Sequence, residues 1–363
     1  LEPLQYPPGE MESRLKDPGL QALLRSLARH NPGLCLLTTR LAVADLQEFV
    51  GSSVQRCDLT HLSTEAGVAY LSHLGVKGSE NELKGAVDEF EGHALALTLL
   101  GSYLTVVFKG DVRQRDKIPR LTGEREQGDH ARRVMKSYEA WFQGKPELDI
   151  LHLMGLFDRP AEGGAIQALR AEPAIPGLTS ELAGLSEADW AFALRDLRVA
   201  RLLAREDPDE PDTLDCHPLV REHFGERLQK SQPDAWREAH SRLYEYYRDQ
   251  APDLPDTLEE MTPLFAAAAH GCQAGRHQEA LDEVYRQRIQ RGEGQYFSTD
   301  KLGAIGADLA VLSGFFDQPW SQAADALSDY WKARVLSWAG FRLRALGRFP
   351  VREAGRGTLS GSG

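Results

Sequence analysis

Apolar residues first fall into a helical rhythm at Leu20, Leu23, Leu24, Leu27 and Ala28. Asp17 offers an N-cap, Pro18 suits the first helical position because its missing N–H costs nothing there, and Asn31-Pro32-Gly33 stops the run. The pattern then changes. Leu34, Cys35, Leu36 and Leu37 follow one another without polar alternation, which predicts a strand buried on both faces, as in the middle of a parallel sheet. The run ends in Thr38, Thr39 and Arg40. Ligands of open α/β sheets bind beyond the carboxyl ends of strands, and a guanidinium fork matches a phosphate, so Arg40 is a candidate phosphate contact. A surface salt bridge is the plain alternative. A short helical patch (Val43 to Phe49) and a possible edge strand (Val54 to Leu59) complete this part.

Beyond Ser63 the pattern is helical. Glu65 to Leu74 stops at Gly75, Ser79 and Glu82 form a capping box for a helix ending near Phe90, and after Gly92 a third helix carries Leu95, Leu99, Leu100 and Leu104. The charged stretch 109–130 reads as a domain boundary. Val134, Met135, Tyr138, Trp141 and Phe142 share one face of the next helix, and Pro146 opens another with Leu148, Leu151, Met154 and Phe157. Ser186 caps a helix from Glu187 to Arg198 whose inner face is Trp190, Leu194 and Leu197. Two extended runs, Arg201 to Arg205 and Thr213 to Cys216, flank a loop that two prolines keep from being helical, and a helix from Leu219 to Leu228 follows. Helices, a β-ribbon and a further helix make the pattern of a winged helix. From Asp234 to about residue 348 everything reads as helical pairs, Leu264 to Cys272 with Gln278 to Arg286 and then Tyr330 to Leu346, and Ala274-Gly275-Arg276-His277 and Leu346-Gly347-Arg348-Phe349 serve as repeated turns. The glycine- and serine-rich tail predicts disorder.

The net charge of -12 argues against a broad footprint for nucleic acid, although a local basic patch is compatible with it. The four cysteines form no CxxC and read as reduced, mostly buried thiols of a cytoplasmic protein. The most apolar run, Ala94 to Phe108, is shorter than the roughly 20 residues that span a bilayer and reads as a buried helix. No P-loop is present: at the one Gly-Lys pair, Gly144-Lys145, Glu139 stands where the first glycine belongs and Pro146 where the hydroxyl belongs. HExxH and GxSxG are also missing from the sequence.

Three stretches, taken in order, resemble the STAND class of signal-transduction ATPases, NB-ARC proteins and their bacterial relatives. Leu34 to Arg40 resembles the sensor strand, Glu89-Phe90-Glu91-Gly92-His93-Ala94-Leu95-Ala96-Leu97 the Gly-Leu-Pro-Leu-Ala-Leu stretch, and Asp215-Cys216-His217-Pro218-Leu219-Val220-Arg221 the winged-helix histidine motif. The resemblance implies a mainly α chain: the C-terminal part of an α/β nucleotide-binding domain (1–60), a small helical subdomain (61–110), a linker and winged helix with a small β-ribbon (111–230), TPR-like helical pairs (231–350) and a disordered tail (351–363). It implies a nucleotide-dependent switch in which Thr39 and Arg40 face the phosphates, Gly92 and Ala94 lie beside the adenine, and His217 holds the ADP-bound form. Two positions depart from the family: Ala94 replaces its proline, and Pro218 replaces the aspartate after its histidine. Leu1 to Gln5 resembles the segment after the Walker B aspartate, which would place both Walker motifs upstream. ADP or ATP (with Mg²⁺) then belongs to the full-length protein, an NTPase by resemblance, while this piece is expected to be inactive. Expected partners are a protein on the helical repeats and further copies of the full-length chain, with no nucleic acid and no membrane.

Other readings remain open at this level. His217 can be only a helix cap and Gly92 only a helix stop. Arg221 and Arg227 suit a solvated face, and Tyr244, Tyr246 and Tyr247 suit core packing. A winged-helix transcriptional regulator and a ligand-free TPR-like scaffold are the alternative functions.

Overall fold

The computed structural model describes residues 4–5, 13–15, 17–39, 41–59, 61–119 and 129–345, and among them the chain is mainly helical. It divides into two compact units, one comprising Cys57–Tyr246 and the other the stretches before and after it.

In the first stretch, helix α1 (Pro18–Arg29) is capped by Asp17, whose carboxylate accepts the Leu20 N–H. Its Leu24 packs with Leu15 and Leu46, the latter on a 3₁₀ turn Ala44–Phe49. The expected strand does not form. Leu34 to Thr39 joins no β-ladder among the described residues, and Leu34 is 91% and Leu36 80% exposed. A strand of this apolar kind needs a ladder on each edge, and among the described residues neither edge has one. The edge strand expected over 54–59 reduces to a single bridge between Val50 and Val54. The thiols also differ from expectation: Cys216 and Cys272 are buried, but Cys35 and Cys57 are exposed.

The 57–246 unit contains α2 (Thr64–His73), α3 (Glu80–Glu89), α4 (Ala94–Phe108), a 3₁₀ turn Val112–Lys117, α5 (Asp129–Phe142), α6 (Pro146–Met154), α7 (Gly163–Arg170), α8 (Glu187–Val199), α9 (Pro218–Ser231) and most of α10 (Pro233–Gln250). The predicted caps are made, Ser79 and Glu82 as a reciprocal box and Ser186 accepting from Asp189, and Ser63 also caps α2 by accepting from Ala66. Fully buried Tyr138 donates to the carbonyl of Leu99 or Ala200, 3.2 Å from each, and so ties α5 to α4 and to the end of α8. Among the described residues, the ribbon expected of 201–205 with 213–216 forms no strands and keeps a single backbone bond between the two runs, while Leu214 bridges to Ala161 instead. Ala161 and Leu214 exchange backbone bonds of 2.8 and 2.9 Å, and Ala204 donates to Asp215 at 2.8 Å. Pro208 and Pro211 in the connecting loop have no N–H to extend the ladder. Arg221 departs from expectation: it is 8% exposed and paired with Asp215. Arg227 is solvated, and Tyr244 and Tyr247 are buried.

Helix α6 carries two opposed titrations. Burial pushes His152 down to about 4, and burial with the charge of Glu181 pushes Asp149 up to about 7. The unfolded chain protonates His152 below about 6.5, so its contribution to stability is present above that pH and is lost as pH falls toward 4. The folded chain holds a proton on Asp149 that the unfolded chain has released, so that contribution is present at low pH and lost as pH rises from about 4 to about 7. Relative to the parent, His152→Gln should therefore gain stability on going from pH 7 to pH 5, by about 2 kcal/mol, and Asp149→Asn should lose it. Urea unfolding of both variants at the two pH values checks the signs; parallel shifts would refute them.

In the last stretch, α11 (Leu258–Gln273) opens with a Thr257–Glu260 box and packs against α12 (His277–Glu279) and the π-helical segment Ala280–Ile289 that continues it. Then come α13 (Phe297–Asp300), α14 (Ile305–Ser313), β1 (Phe316–Gln318), β2 (Gln322–Ala323) and α15 (Asp329–Ala345). The helical pairing of 264–272 with 278–286 forms as expected, but unbroken helical pairs do not. The antiparallel β1–β2 hairpin interrupts them, because Pro319 cannot continue a helix and Trp320 turns the chain at φ +66°. The second expected turn, Leu346 to Phe349, and the tail lie outside the described residues, as do residues 120–128 of the expected linker.

Candidate functional site

Gly92 and His217 are far apart in sequence but belong to the same unit, and the residues around them meet at one corner of it. The corner between α3 and α4 is a tight turn in which Glu91 (φ +53°) and Gly92 (φ +66°) are both left-handed. Gly92 has no substitute here: a Cβ would lie 2.2 Å from the carbonyl oxygen of Leu62, whose own N–H donates to the Gly92 carbonyl at 2.8 Å. The turn places His93 at the N-cap of α4, with Nδ1 accepting the Ala96 N–H at 3.2 Å. Ala94 follows as the first helical residue and is exposed. This is the position at which a proline is best tolerated, so alanine keeps the helix start and loses only the ring.

Helix α5 is held beside this corner by Arg133, which pairs with Glu89 and lies 4.4 Å over the Phe90 ring. One turn earlier, buried His130 sits 5.9 Å from Phe90 and 3.6 Å from the Glu91 carboxylate. Helix α9 is joined to α5 by Arg132–Glu222 at 2.6 Å and by His223–Glu139 at 2.7 Å. His217 is its N-cap: Nδ1 accepts the Leu219 N–H at 3.1 Å, and the side chain is exposed. His61, with Nδ1 bonded to the Glu91 carbonyl, lies 5.5 Å from His93, ring to ring.

Four histidines thus converge on two helix N-termini. Burial depresses the pKa of His93, and the charges of His61, His130 and His217 depress it further. A neutral His93 that accepts at Nδ1 carries its proton at Nε2 and so presents a donor next to the positive end of α4. His217 is built the same way at α9. The arrangement favours an anion: it supplies donors and helix dipoles, and a bound negative charge would counter the burial and repulsion that depress the pKa of His93.

The five residues singled out from sequence fare differently. The structure brings Gly92, Ala94 and His217 into one unit, with His217 near enough to His93 to affect its charge. Thr39 belongs to the other unit, where its hydroxyl donates to Gln5 at 2.5 Å and accepts from the Leu41 N–H. Arg40 lies outside the described residues. Spacing in the sequence leaves His61, His93, His217 and His223 in separate elements and joins them into no site, and it gives no signal for His130; the structure gathers His61, His93 and His130 around Glu91 and Gly92. Among the described residues no group of His, Cys, Asp and Glu is disposed to hold a metal ion, and no helix is long and apolar enough to cross a membrane. No protein-family model matches the chain, and no curated protein matches it.

Proposed function

We propose that the chain is the non-P-loop portion of a nucleotide-dependent molecular switch of the STAND, NB-ARC-like class, in which the corner of Gly92, His93, Ala94 and His217 faces ADP in the closed form. The observation that carries this reading is that the two motif histidines, from segments remote in sequence, lie in one compact unit and each cap a helix through Nδ1. In the same reading α5 to α9 with the minimal ribbon are a winged helix, and the helices after residue 231 receive a protein partner. Mg²⁺ would accompany ATP in the full-length protein. A switch of this kind works through differential contacts: ADP stabilises only the arrangement in which His217 reaches it.

A DNA-binding role has less support. The outward side of α8 carries Ala188, Ala191, Phe192 and Val199, and its Arg195 is engaged with Asp196 and the Phe192 ring.

The test is titration of a fluorescent ADP analogue and of inorganic phosphate, with the histidines followed by NMR. Without the backbone cradle and lysine of a P-loop, ADP should bind weaker than about 100 μM, with no hydrolysis. Millimolar phosphate should nevertheless raise the titration midpoints of His93 and His217 together, because a bound anion favours their protonated forms. Midpoints that ignore phosphate would remove the anion-facing role.

A further inference from the structure

Helix α15 has two faces of different character. Val335, Trp338, Ala339, Arg342 and Leu343 are buried. At 100° per residue the opposite side carries Tyr330, Ala333, Leu336, Ser337, Gly340 and Phe341, a strip more than 100° wide. Three of these are large and open to solvent: Tyr330 is 58% exposed, Leu336 38% and Phe341 65%. The same strip is closed at its two ends by opposite charges. Asp329 stands in the first turn and Arg344 in the last; both are exposed, and neither makes an ion pair among the described residues. The other charges near the strip are committed: Lys332 pairs with Asp325, Arg334 lies over Trp338, and Arg342 is buried on Asp308.

The order of these residues is self-complementary. A two-fold axis placed between Leu336 and Ser337 brings Asp329 of one copy opposite Arg344 of the other, and Arg344 opposite Asp329. The same operation sets Ala333 opposite Gly340, so the smallest side chains face each other and the backbones can approach, while Tyr330 and Phe341 cover the contact on either side. The antiparallel arrangement also sets each helix's positive end beside the partner's negative end. A surface that pairs with itself under a two-fold axis must be complementary in this way, whereas a surface for a different partner need not be.

We infer that the outer face of α15 is an isologous docking surface for a second copy of this chain, packed helix against antiparallel helix. The contact is one helix of about 25 Å, at the small end of specific interfaces, so the dimer is weak and its population follows protein concentration in the micromolar range. Two ion pairs at its ends fix the register.

Sedimentation velocity of the full chain, from about 1 to about 200 μM, tests this. The parent should pass from monomer to dimer across that range. Asp329→Arg and Arg344→Asp each turn two attractive pairs into two repulsive ones and should weaken dimerisation about tenfold. The double variant D329R/R344D exchanges the charges, restores both pairs and should return to within about twofold of the parent. Gly340→Gln should abolish the dimer. A Cβ there meets only the Arg344 guanidinium, at 3.9 Å, so the monomer accommodates the new side chain while a partner helix cannot. Circular dichroism confirms that all four variants keep their helix content. A parent that stays monomeric throughout overturns the proposal and leaves the strip to a different protein. A dimer that ignores the single reversals, or a double variant as weak as the singles, equally refutes it.

Discussion

Replacing Arg342 with methionine should cost about 3–5 kcal/mol of stability at pH 7, the largest loss expected of any single substitution considered. The cause is a carboxylate with no other compensation of equal strength. Asp308 is fully buried, accepts from Ser298 at 2.7 Å and from the Tyr285 hydroxyl at 3.0 Å, and pairs with Arg342, itself only 2% exposed. Tyr285 in turn accepts from the Gln290 amide at 2.7 Å. Burial pushes the pKa of Asp308 up, against the opposing pull of Arg342 and the hydrogen bonds, so loss of the guanidinium leaves a carboxyl that takes up a proton or remains as an uncompensated charge. Asp308→Leu should cost a similar amount by stranding Arg342. The double variant D308L/R342M should be less destabilised than either single one, because neither charge is then left alone. Urea denaturation of the three variants measures the coupling. Simple additivity would mean that the two groups do not act as a pair.

This network also marks a limit of reading from sequence. Helix starts were legible because a cap is local: Asp17, Ser79 and Ser186 each declare themselves within three residues of the N–H they bond. Apolar periodicity placed α4, α5 and α6 for the same reason. Asp308 and Arg342 lie on different helices, and nothing local distinguishes them from surface charges. Tyr285 is brought to them on a π-helical segment that has no periodicity of its own to detect, with Gln290 just past its end. The strand at Leu34 failed in the opposite way. Its composition is that of a buried strand, but strand formation is a property of neighbours, and composition carries no information on whether they are present. At the candidate site the glycine and His217 were legible as motif positions. His61 and His130 were not, since their nearness to His93 depends on contacts remote in sequence, the His61–Glu91 carbonyl bond and the Arg133–Glu89 tie. His93 itself had a local signal, a side chain able to cap, immediately before an apolar helix.

Gly92→Ala should disrupt that corner in a way that separates backbone strain from collision. Gly144 is the control. Both glycines are left-handed, at φ +66° and +71°, so alanine carries the same conformational cost of about 1 kcal/mol at either position. They differ in surroundings: a Cβ at Gly144 meets nothing within 4 Å, whereas at Gly92 it falls 2.2 Å from the Leu62 carbonyl oxygen. That oxygen belongs to the backbone and cannot rotate away, so the turn itself must move, which raises the total for Gly92→Ala to about 3 kcal/mol. The movement has a consequence beyond stability. His93 is the next residue, and its depressed pKa depends on burial and on the nearness of three other histidines. Shifting the turn opens that cluster, so the midpoint of His93 should rise toward that of an ordinary histidine, while Gly144→Ala leaves it unchanged. Two-dimensional NMR titration of the imidazoles in both variants, beside thermal unfolding, reads the two effects separately. If Gly92→Ala were destabilised but its His93 midpoint stayed at the parent value, the glycine would serve only to end α3, and the corner would have no part in tuning the histidines.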